Sequence, residues 1–509
     1  MNRNKAWIGI VVVFLLGVLL RFLDLGQQGL FLDEAWSWAT AQLPPAQILQ
    51  SSLRDPHPPL YYLLLKGFLA VLPDTEAGLR TLSALCSAAT LAVTLAFVAR
   101  QWDVRAAIYA GWFIALSTFD LYYAQETRMY TLLGLLWLVS YILLIKAIES
   151  QSRLFLGWAL TNVLLGWTHF YGLLAVTVQV TIAVGFWGWN RWRARSGPLP
   201  WKWLGIALAL TILGILPVML PLWLFRSGGA GGAWIPQAQD LSTLFALSSA
   251  GLAAARSRFL DSSHLVLPAL TPLSAGAWSA LGILTSGGFA TWGLWQGLKN
   301  EKEHRWTASA ALALMFVPVA IAFCYALLSR RPIWALKPFL GAAYLYYLWS
   351  GIGLSRIPWA WFRRCAALLA LIVSLASLVP YFTTWQKTDA ATAFRSLPAT
   401  KYPRAVLLER AYRAPVAFYY LGPDGLIWGL GGSKEEGFEL RRISPNGVQP
   451  EDFEPIDCGS EHIQRITDIW VYGPIQRIQQ EREYWPACVL AKNLWLFLDD
   501  QWTLLDRQP

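Results

Sequence analysis

Long apolar runs alternate with short polar segments over the first three quarters of the chain. A membrane-spanning helix needs about 20 consecutive, mainly apolar residues, and about eleven runs approach that length. They cover residues 6–23, 77–99, 104–120, 131–148, 153–168, 170–189, 203–225, 275–297, 307–328, 333–354 and 360–382. The pattern therefore predicts a polytopic α-helical membrane protein.

Two long polar segments interrupt these runs, at 24–76 and 226–274. Within the first, residues 59–72 are apolar but short and contain Lys66, which favours an interfacial helix. The second begins with a glycine-rich stretch, 227–233, that is typical of a hinge or lid or of an unstructured connector. It does not end in Gly-Lys-Ser or Gly-Lys-Thr, so it lacks the pattern of a phosphate-binding loop.

The last quarter of the chain has a different pattern. From about residue 383 charges become frequent, and short apolar runs predict strands at 405–408, 469–472 and 494–498. Residues 390–397 and 474–482 have a helical pattern. We therefore expect a transmembrane domain over 1–382, followed over 383–509 by a small α/β domain of about 120 residues.

Composition and charge place the chain in a bilayer. Hydrophobic residues make up 56% and charged residues only 14%, whereas soluble domains carry about a quarter charged residues. With the N-terminus in the cytoplasm, every predicted inner segment is basic, as membrane topology requires. The net charge of +10 therefore reflects topology and not nucleic-acid binding.

The N-terminal run resembles a signal peptide without a cleavage site, and we expect an uncleaved anchor.

This layout puts both long segments and the C-terminal domain outside the cytoplasm, as in a bacterial inner (plasma) membrane. Cys458 and Cys488 in that domain could then pair as a disulfide or remain free thiols.

Polar side chains cluster in the predicted outer segments. Asp33 and Glu34 stand side by side, and a carboxylate can accept the proton of an attacking hydroxyl. Cations at the same depth can hold a phosphate and stabilise charge on it as it leaves. Glu126 is a further candidate for a catalytic role. Candidates for phosphate contact are His57, Arg128, Arg331 and Lys337, and candidates for substrate contact are Tyr61, Tyr130 and His169. Together they predict one site for transfer of a group from a lipid phosphate.

Several of these candidates also have an interpretation that involves no chemistry. Asp33 could be the N-cap of an interfacial helix, Glu34 its solvated neighbour, and His57 a residue that orders the loop. Glu126 and Arg128 could form an interfacial ion pair, and His169 could be a structural histidine. Arg330 and Arg331 could contact lipid headgroups. Asp120, near the end of a predicted span, is interpreted as a helix cap.

Three segments resemble the GT-C superfamily of membrane glycosyltransferases. Phe31–Ala35 is similar to its aspartate motif, His57–Tyr62 with Gly78–Ser83 to the next block, and Gln125–Leu132 to the third. The nearest branch is the protein O-mannosyltransferase and lipid A aminoarabinose transferase-like group, and the specific resemblance covers about residues 15–175. It implies a GT-C-type helix bundle with interfacial helices in the first outer loop and a small C-terminal extracytoplasmic α/β domain.

The resemblance also implies inverting transfer of a sugar from a polyprenyl phosphate to a hydroxyl or amine of a lipid, glycan or protein. Asp33 matches the aspartate assigned to acceptor activation, Glu126 the second acidic residue and Arg128 the arginine of the third block. The aminoarabinose branch has a lysine where this chain has His57, so phosphate contact there would need a protonated imidazole. Lys337 and Arg331 could supply further positive charge.

Two other functions, and a metal site, are alternatives to this interpretation. A transporter or flippase would place ionisable residues near the bilayer midplane, often in repeated halves, but the predicted spans are nearly free of charge and show no repeat. A non-catalytic subunit of an envelope assembly would use residues 383–509 as its binding module. Asp33 and Glu34 could bind a divalent cation, since some GT-C branches use one and the nearest branch does not.

Overall fold

The computed structural model describes most of the chain. The described residues are 3–51, 57–150, 152–193, 201–225, 235–251, 275–299, 304–383, 390–397, 405–408, 413–422, 426–433, 437–442, 454–455, 468–472, 485, 487–490, 492–498 and 501–506. They divide into two compact units. The helical unit contains Met1–Leu25 and Pro44–Trp385, and the sheet unit contains Gly26–Leu43 and Gln386–Pro509.

The described helices have the following bounds in chain order: α1 Arg3–Phe22, α2 Leu32–Gln42, α3 Pro45–Ser51, α4 Leu60–Leu69, α5 Glu76–Gln101, α6 Val104–Ala115, α7 Thr118–Ala124, α8 Tyr130–Ser150, α9 Leu154–Thr168, α10 Phe170–Arg193, α11 Trp201–Phe225, α12 Ala238–Ala250, α13 Ala275–Gly282, α14 Gly288–Lys299, α15 Arg305–Ser329, α16 Leu340–Ser355, α17 Ala360–Thr383, α18 Ala390–Arg395, α19 Ala414–Leu421 and α20 Ala487–Leu490. A π-helical turn, Ile283–Gly287, joins α13 to α14, and a 3-10 turn, Lys337–Phe339, precedes α16.

The helical unit has the dimensions of a membrane protein. Within the described residues, six helices are long and apolar enough to cross a bilayer, and they lie in α5, α8, α10, α11, α15 and α17. Four shorter apolar helices lie in α1, α4, α6 and α9. The predicted polytopic helical fold is confirmed. A helix, α4, lies within residues 59–72 as expected, and its interfacial position stays a prediction.

Three predicted spans are interrupted. The single helix expected over 104–120 is two helices, because Ser117 is the N-cap of α7 and its hydroxyl accepts a hydrogen bond from the Asp120 backbone N–H at 3.2 Å. The helix expected over 275–297 contains the π-helical turn. The helix expected from residue 333 begins at Leu340, since Pro338 belongs to the preceding 3-10 turn.

Close packing fixes α16 inside the helical unit. Every residue of α16 is buried. A Cβ at Gly351 would lie 2.2 Å from the backbone nitrogen of Ala110 in α6, and one at Gly353 would lie 1.8 Å from the carbonyl oxygen of Phe289 in α14. Small residues allow this close approach between membrane helices. The packing consequently holds the turn that carries Lys337.

The sheet unit contains a mixed seven-stranded sheet of order β4-β3-β2-β1-β5-β6-β7. The strands are β1 Ala405–Leu408, β2 Leu426–Ser433, β3 Gly437–Arg442, β4 Glu454–Pro455, β5 Asp468–Tyr472, β6 Asn493–Leu498 and β7 Gln501–Asp506. The central strands β2, β1, β5 and β6 run parallel, while β3, β4 and β7 pair antiparallel. Strands buried on both faces are apolar, as Val406, Leu407 and Leu408 of β1 are. The predicted small α/β domain is confirmed.

The first long polar segment contributes α2 to the sheet unit. Ala35 belongs to the same buried cluster as Phe394, Val406 and Trp470. The Tyr420 hydroxyl accepts a hydrogen bond from the Leu30 N–H at 2.7 Å. The predicted boundary between residues 382 and 383 stays a prediction, and the compact units add residues 26–43 to the C-terminal side of it.

Several expectations fall outside the described residues. They concern the glycine-rich stretch 227–233, the helix over 474–482 and the pairing of Cys458 with Cys488. Within the second long loop, the structure describes the helix α12.

Candidate active site

Three junctions of the helical unit meet around the side chain of Tyr130, the first residue of α8. The α7–α8 junction contributes Arg128, the α9–α10 junction contributes His169, and the turn before α16 contributes Lys337. His169 lies with its ring centroid 5.9 Å from that of Tyr130. Three segments that are distant in sequence therefore form one polar cluster, which we call the Tyr130 cluster.

Two cations approach the Tyr130 ring. The guanidinium carbon of Arg128 and the Lys337 Nζ each lie 6.0 Å from the ring centroid. At that distance the electron-rich face of an aromatic ring attracts a cation. Arg128 is 5% exposed and Lys337 is half-buried. The cluster consequently concentrates positive charge in a largely enclosed place.

Two histidines complete the Tyr130 cluster. Arg128 Nη2 lies 3.2 Å from His57 Nε2, and the rings of His57 and His169 meet edge to face with centroids 5.4 Å apart. The Tyr171 backbone N–H donates to His169 Nδ1 at 3.1 Å. Both imidazoles are thus held in fixed orientations beside the arginine.

Burial controls the charge of His169. This residue is 7% exposed, and desolvation, with smaller contributions from His57 and Arg128, lowers the pKa of His169 well below 6.5. Burial acts in this direction because it disfavours the charged imidazolium. His169 is therefore a neutral imidazole at physiological pH, which agrees with the alternative of a buried structural histidine.

The segment that carries Arg128 is held from two sides. The Arg128 carbonyl accepts a hydrogen bond from the Ser83 hydroxyl at 3.0 Å, and Ser83 is itself hydrogen-bonded to the Tyr61 hydroxyl at 2.8 Å. Tyr61 is fully buried. The structure thus gives Tyr61 a supporting position behind Arg128, and its predicted role in substrate contact stays a prediction.

Gln125 ties the same segment to the end of α1. Its amide nitrogen donates to the carbonyls of Leu20, Arg21 and Leu23, the last at 2.7 Å. The Tyr381 hydroxyl donates to its amide oxygen at 2.8 Å. These bonds satisfy carbonyls that a helix end leaves without partners, and they fix the α7–α8 junction.

Glu126 is in the same junction. Its side chain is 1% exposed, and its carbonyl accepts a hydrogen bond from the Arg128 N–H at 2.7 Å. A buried carboxylate is costly and is retained where it has a structural or chemical task. Its predicted role beside the acceptor stays a prediction.

Asp33 and Glu34 lie in the sheet unit and have different surroundings. Asp33 is the second residue of α2 and is half-buried, so it is not the N-cap. Glu34 is fully buried, and its carboxylate accepts a hydrogen bond from the Phe31 N–H at 3.0 Å. This is the acidic half of a capping box. Glu34 therefore stabilises the start of α2, and its catalytic role stays a prediction.

Arg331 is exposed. In the part of the chain that the structure describes, the contacts that gather Arg128 and Lys337 at Tyr130 do not include it. Arg330 ends α15 in a left-handed conformation, with φ 51°. Arg331 is thus a weaker candidate for phosphate contact than Lys337.

Sequence reasoning missed a second buried constellation, centred on Arg21 and Asp120. The two form an ion pair with 0% exposure for both side chains. The Ser87 hydroxyl donates to Asp120 at 2.7 Å, and the Tyr344 hydroxyl donates to the other carboxylate oxygen. Asp120 was expected only to cap a helix, although an arginine at the end of an apolar run already called for a counter-ion.

No metal site emerges from the described residues, because they contain no group of three or more His, Cys, Asp or Glu side chains that could hold an ion. The expectation that Asp33 could bind a divalent cation stays a prediction.

Comparisons with known proteins match part of the chain to one family and most of the chain to one fold. Residues 56–220 match the family described as dolichyl-phosphate-mannose-protein mannosyltransferase. The structure of ArnT from Cupriavidus metallidurans bound to undecaprenyl phosphate matches with a TM-score of 0.52 and 12% identity, over 83% of this chain and 85% of that one. No curated protein matches the chain.

Two further structures match with lower scores. ArnT from the same organism in the apo state has a TM-score of 0.43 and 12% identity, over 89% of this chain and 90% of that one. The Archaeoglobus fulgidus oligosaccharyltransferase in complex with Zn and sulfate has a TM-score of 0.47 and 13% identity, over 82% of this chain and 62% of that one.

The family match covers the second and third of the segments that resembled GT-C proteins, namely those at His57 and at Arg128. The match to undecaprenyl-phosphate-bound ArnT extends over most of both chains and shows a common fold. Residues 56–220 thus match the mannosyltransferase family, and the chain as a whole shares its fold with ArnT.

Proposed function

We propose that the chain transfers a sugar from a polyprenyl-phosphate donor to an acceptor hydroxyl or amine at the extracytoplasmic face of the membrane. The observation that carries the proposal is the approach of Arg128 and Lys337 to one ring, that of Tyr130. Two cations brought together in a largely buried place favour a ligand with negative charge, because their mutual repulsion is relieved when an anion binds.

The position of the Tyr130 cluster supports a ligand that is attached to a lipid. Tyr130 begins α8 and Phe170, next to His169, begins α10, and both helices are candidate membrane spans. The cluster therefore lies at the ends of spans, where the phosphate of a lipid is located while its chain remains in the bilayer. ArnT, which shares the fold, was solved with undecaprenyl phosphate, and we propose a ligand of that class for this chain.

In the proposed reaction, Asp33 takes the proton of the acceptor as its oxygen or nitrogen attacks the anomeric carbon of the sugar. The bond between that carbon and the phosphate oxygen breaks, and the configuration at the carbon is inverted. The polyprenyl phosphate leaves with the electron pair, and Arg128 and Lys337 stabilise its charge. Glu126 positions the acceptor. Asp33 is chosen because it occupies the aspartate position of the motif and is half-buried.

The decisive experiment compares Asp33→Asn with wild type. Purified protein in lipid nanodiscs receives a labelled polyprenyl-phosphate sugar and a membrane extract as acceptor, and release of free polyprenyl phosphate is measured. Loss of a general base should lower the rate by about 10²- to 10⁴-fold. Asp24→Asn is the matched control, since Asp24 is exposed, belongs to the same loop and has a left-handed conformation that asparagine tolerates.

The outcome separates the proposal from its rivals. Equal turnover by wild type and Asp33→Asn would reject Asp33 as the base. Binding of the lipid-linked sugar by wild type without release of phosphate, together with its movement across vesicles, would indicate a flippase. A non-catalytic subunit would show no turnover and would depend only on residues 383–509.

A further inference from the structure

The contact between His57 and Arg128 indicates how the His57 ring is protonated. Arg128 Nη2 and His57 Nε2 are 3.2 Å apart. A guanidinium has only N–H donors, so the imidazole nitrogen must accept the hydrogen bond. His57 Nε2 therefore carries a lone pair, the ring proton is on Nδ1, and the ring is neutral.

The groups around His57 are consistent with a neutral ring. His169, which faces it edge to face, accepts a hydrogen bond at Nδ1 and is itself neutral. Among the described residues, the cluster includes the cations Arg128 and Lys337, and the carboxylate Glu126 belongs to the adjoining junction. A second proton on His57 would remove the acceptor and place a like charge 3.2 Å from the guanidinium.

We propose that His57 is a positioning residue, a neutral hydrogen-bond acceptor that orients the Arg128 guanidinium toward the donor phosphate, and is not a phosphate-binding cation. This inference rests on the proposed function and assigns a residue that helps the site to recognise the donor phosphate. A planar guanidinium binds phosphate well only when its fork is correctly oriented. A fixed acceptor on one nitrogen supplies that orientation before the ligand arrives, which lowers the entropy lost on binding.

Two substitutions distinguish the neutral acceptor from a cation. His57→Gln keeps an amide oxygen that can accept from Arg128 and an N–H group in place of Nδ1–H. His57→Lys supplies a permanent cation with no acceptor. The probe is polyprenyl phosphate itself, titrated into protein in nanodiscs, and a thermal unfolding curve of each variant checks that it is folded.

We expect His57→Gln to bind polyprenyl phosphate within about 3-fold of wild type and His57→Lys at least about 10-fold more weakly, in line with the loss of an oriented charge-assisted contact. The opposite ranking, with the lysine variant binding as well as wild type and the glutamine variant weakly, would overturn the inference.

A spectroscopic measurement makes the result independent of ligand binding. The chain has five histidines, and ¹⁵N-histidine spectra of wild type and His57→Gln identify the His57 signals by difference. A neutral ring protonated at Nδ1 is expected at neutral pH, and an imidazolium would overturn the inference. Failure of wild type to bind polyprenyl phosphate, with the neutral ring observed, would instead reject the proposed function.

Discussion

Two buried arginines at neighbouring places in the helical unit, Arg21 and Arg128, have different surroundings. Arg21 donates to the Asp120 carboxylate, to the Ser87 hydroxyl at 2.6 Å and to backbone carbonyls, among them that of Ile114 at 3.1 Å. Arg128 donates to a neutral imidazole and approaches the same ring as a second cation. The first arrangement is a buried ion pair, and in the second two cations approach one aromatic ring. The comparison contrasts an arginine that holds helices together with one that we propose binds an anion.

The largest expected effect is on stability at Arg21. Arg21→Met leaves Asp120 buried without its counter-ion, and breaking a buried pair in this way costs about 3–5 kcal/mol of the free energy of unfolding. Thermal or chemical unfolding in nanodiscs measures the change. The double variant Arg21→Met with Asp120→Leu should recover part of the loss, because it removes both charges. An unchanged unfolding curve for Arg21→Met would contradict the structural role.

Arg128→Gln should act on binding more than on stability. Loss of a charged hydrogen-bonding group costs about 1.5–3 kcal/mol, which corresponds to about a 10- to 100-fold weaker affinity for polyprenyl phosphate. Titration of the lipid phosphate into nanodiscs measures it. The control is Arg153→Gln, since Arg153 is exposed and lies against Trp203. If Arg128→Gln lowered stability as much as Arg21→Met and left affinity unchanged, the two arginines would have the same role.

The neutral His169 predicts a pH dependence of stability. Because burial lowers its pKa well below 6.5 in the folded protein, the unfolded chain takes up a proton first as the pH falls through 6.5. The free energy of unfolding should therefore decrease below pH 6.5, by up to about 1.4 kcal/mol per pH unit from this group. Unfolding curves between pH 7.5 and 5.5 test it. His169→Gln should show a smaller slope, and an equal slope would assign the effect to other groups.

Lys337→Gln should have the smallest effect among these changes. Lys337 is half-buried, so solvent screens part of its charge, and we expect about a 3- to 10-fold weaker affinity for polyprenyl phosphate that diminishes further in high salt. Arg331→Gln removes the same charge six positions earlier from an exposed side chain and should change the affinity by less than about 2-fold. Equal effects of the two substitutions would mean that the Tyr130 ring does not mark the site.

Much of the fold follows from the lengths of apolar runs, because each helix in a bilayer must satisfy its own backbone. The interruption at Ser117 is less visible, since apolar residues continue on both sides and only the cap shows the break. The grouping of α2 with the C-terminal sheet could not be predicted. It depends on contacts such as Leu30 with Tyr420, which are 390 positions apart.

The candidate site was predicted in part. Arg128, Tyr130 and His169 were found because polar residues between apolar runs are conspicuous, and Lys337 was chosen by its position alone. Which of Lys337 and Arg331 approaches Tyr130 depends on the turn before α16, which sequence does not specify. The burial of Glu34 was missed, although a glutamate at the third position of a helix is a recognised capping signal.

The ion pair of Arg21 also bears on how the chain is assembled. Its counter-ion is synthesised 99 residues later, so the first helix enters the bilayer with an uncompensated guanidinium at its trailing end. A charge of this kind opposes stable insertion in hydrocarbon. The ion pair of α1 is therefore completed only when the short helix that carries Asp120 reaches it, although α1 is the earlier of the two helices to be made.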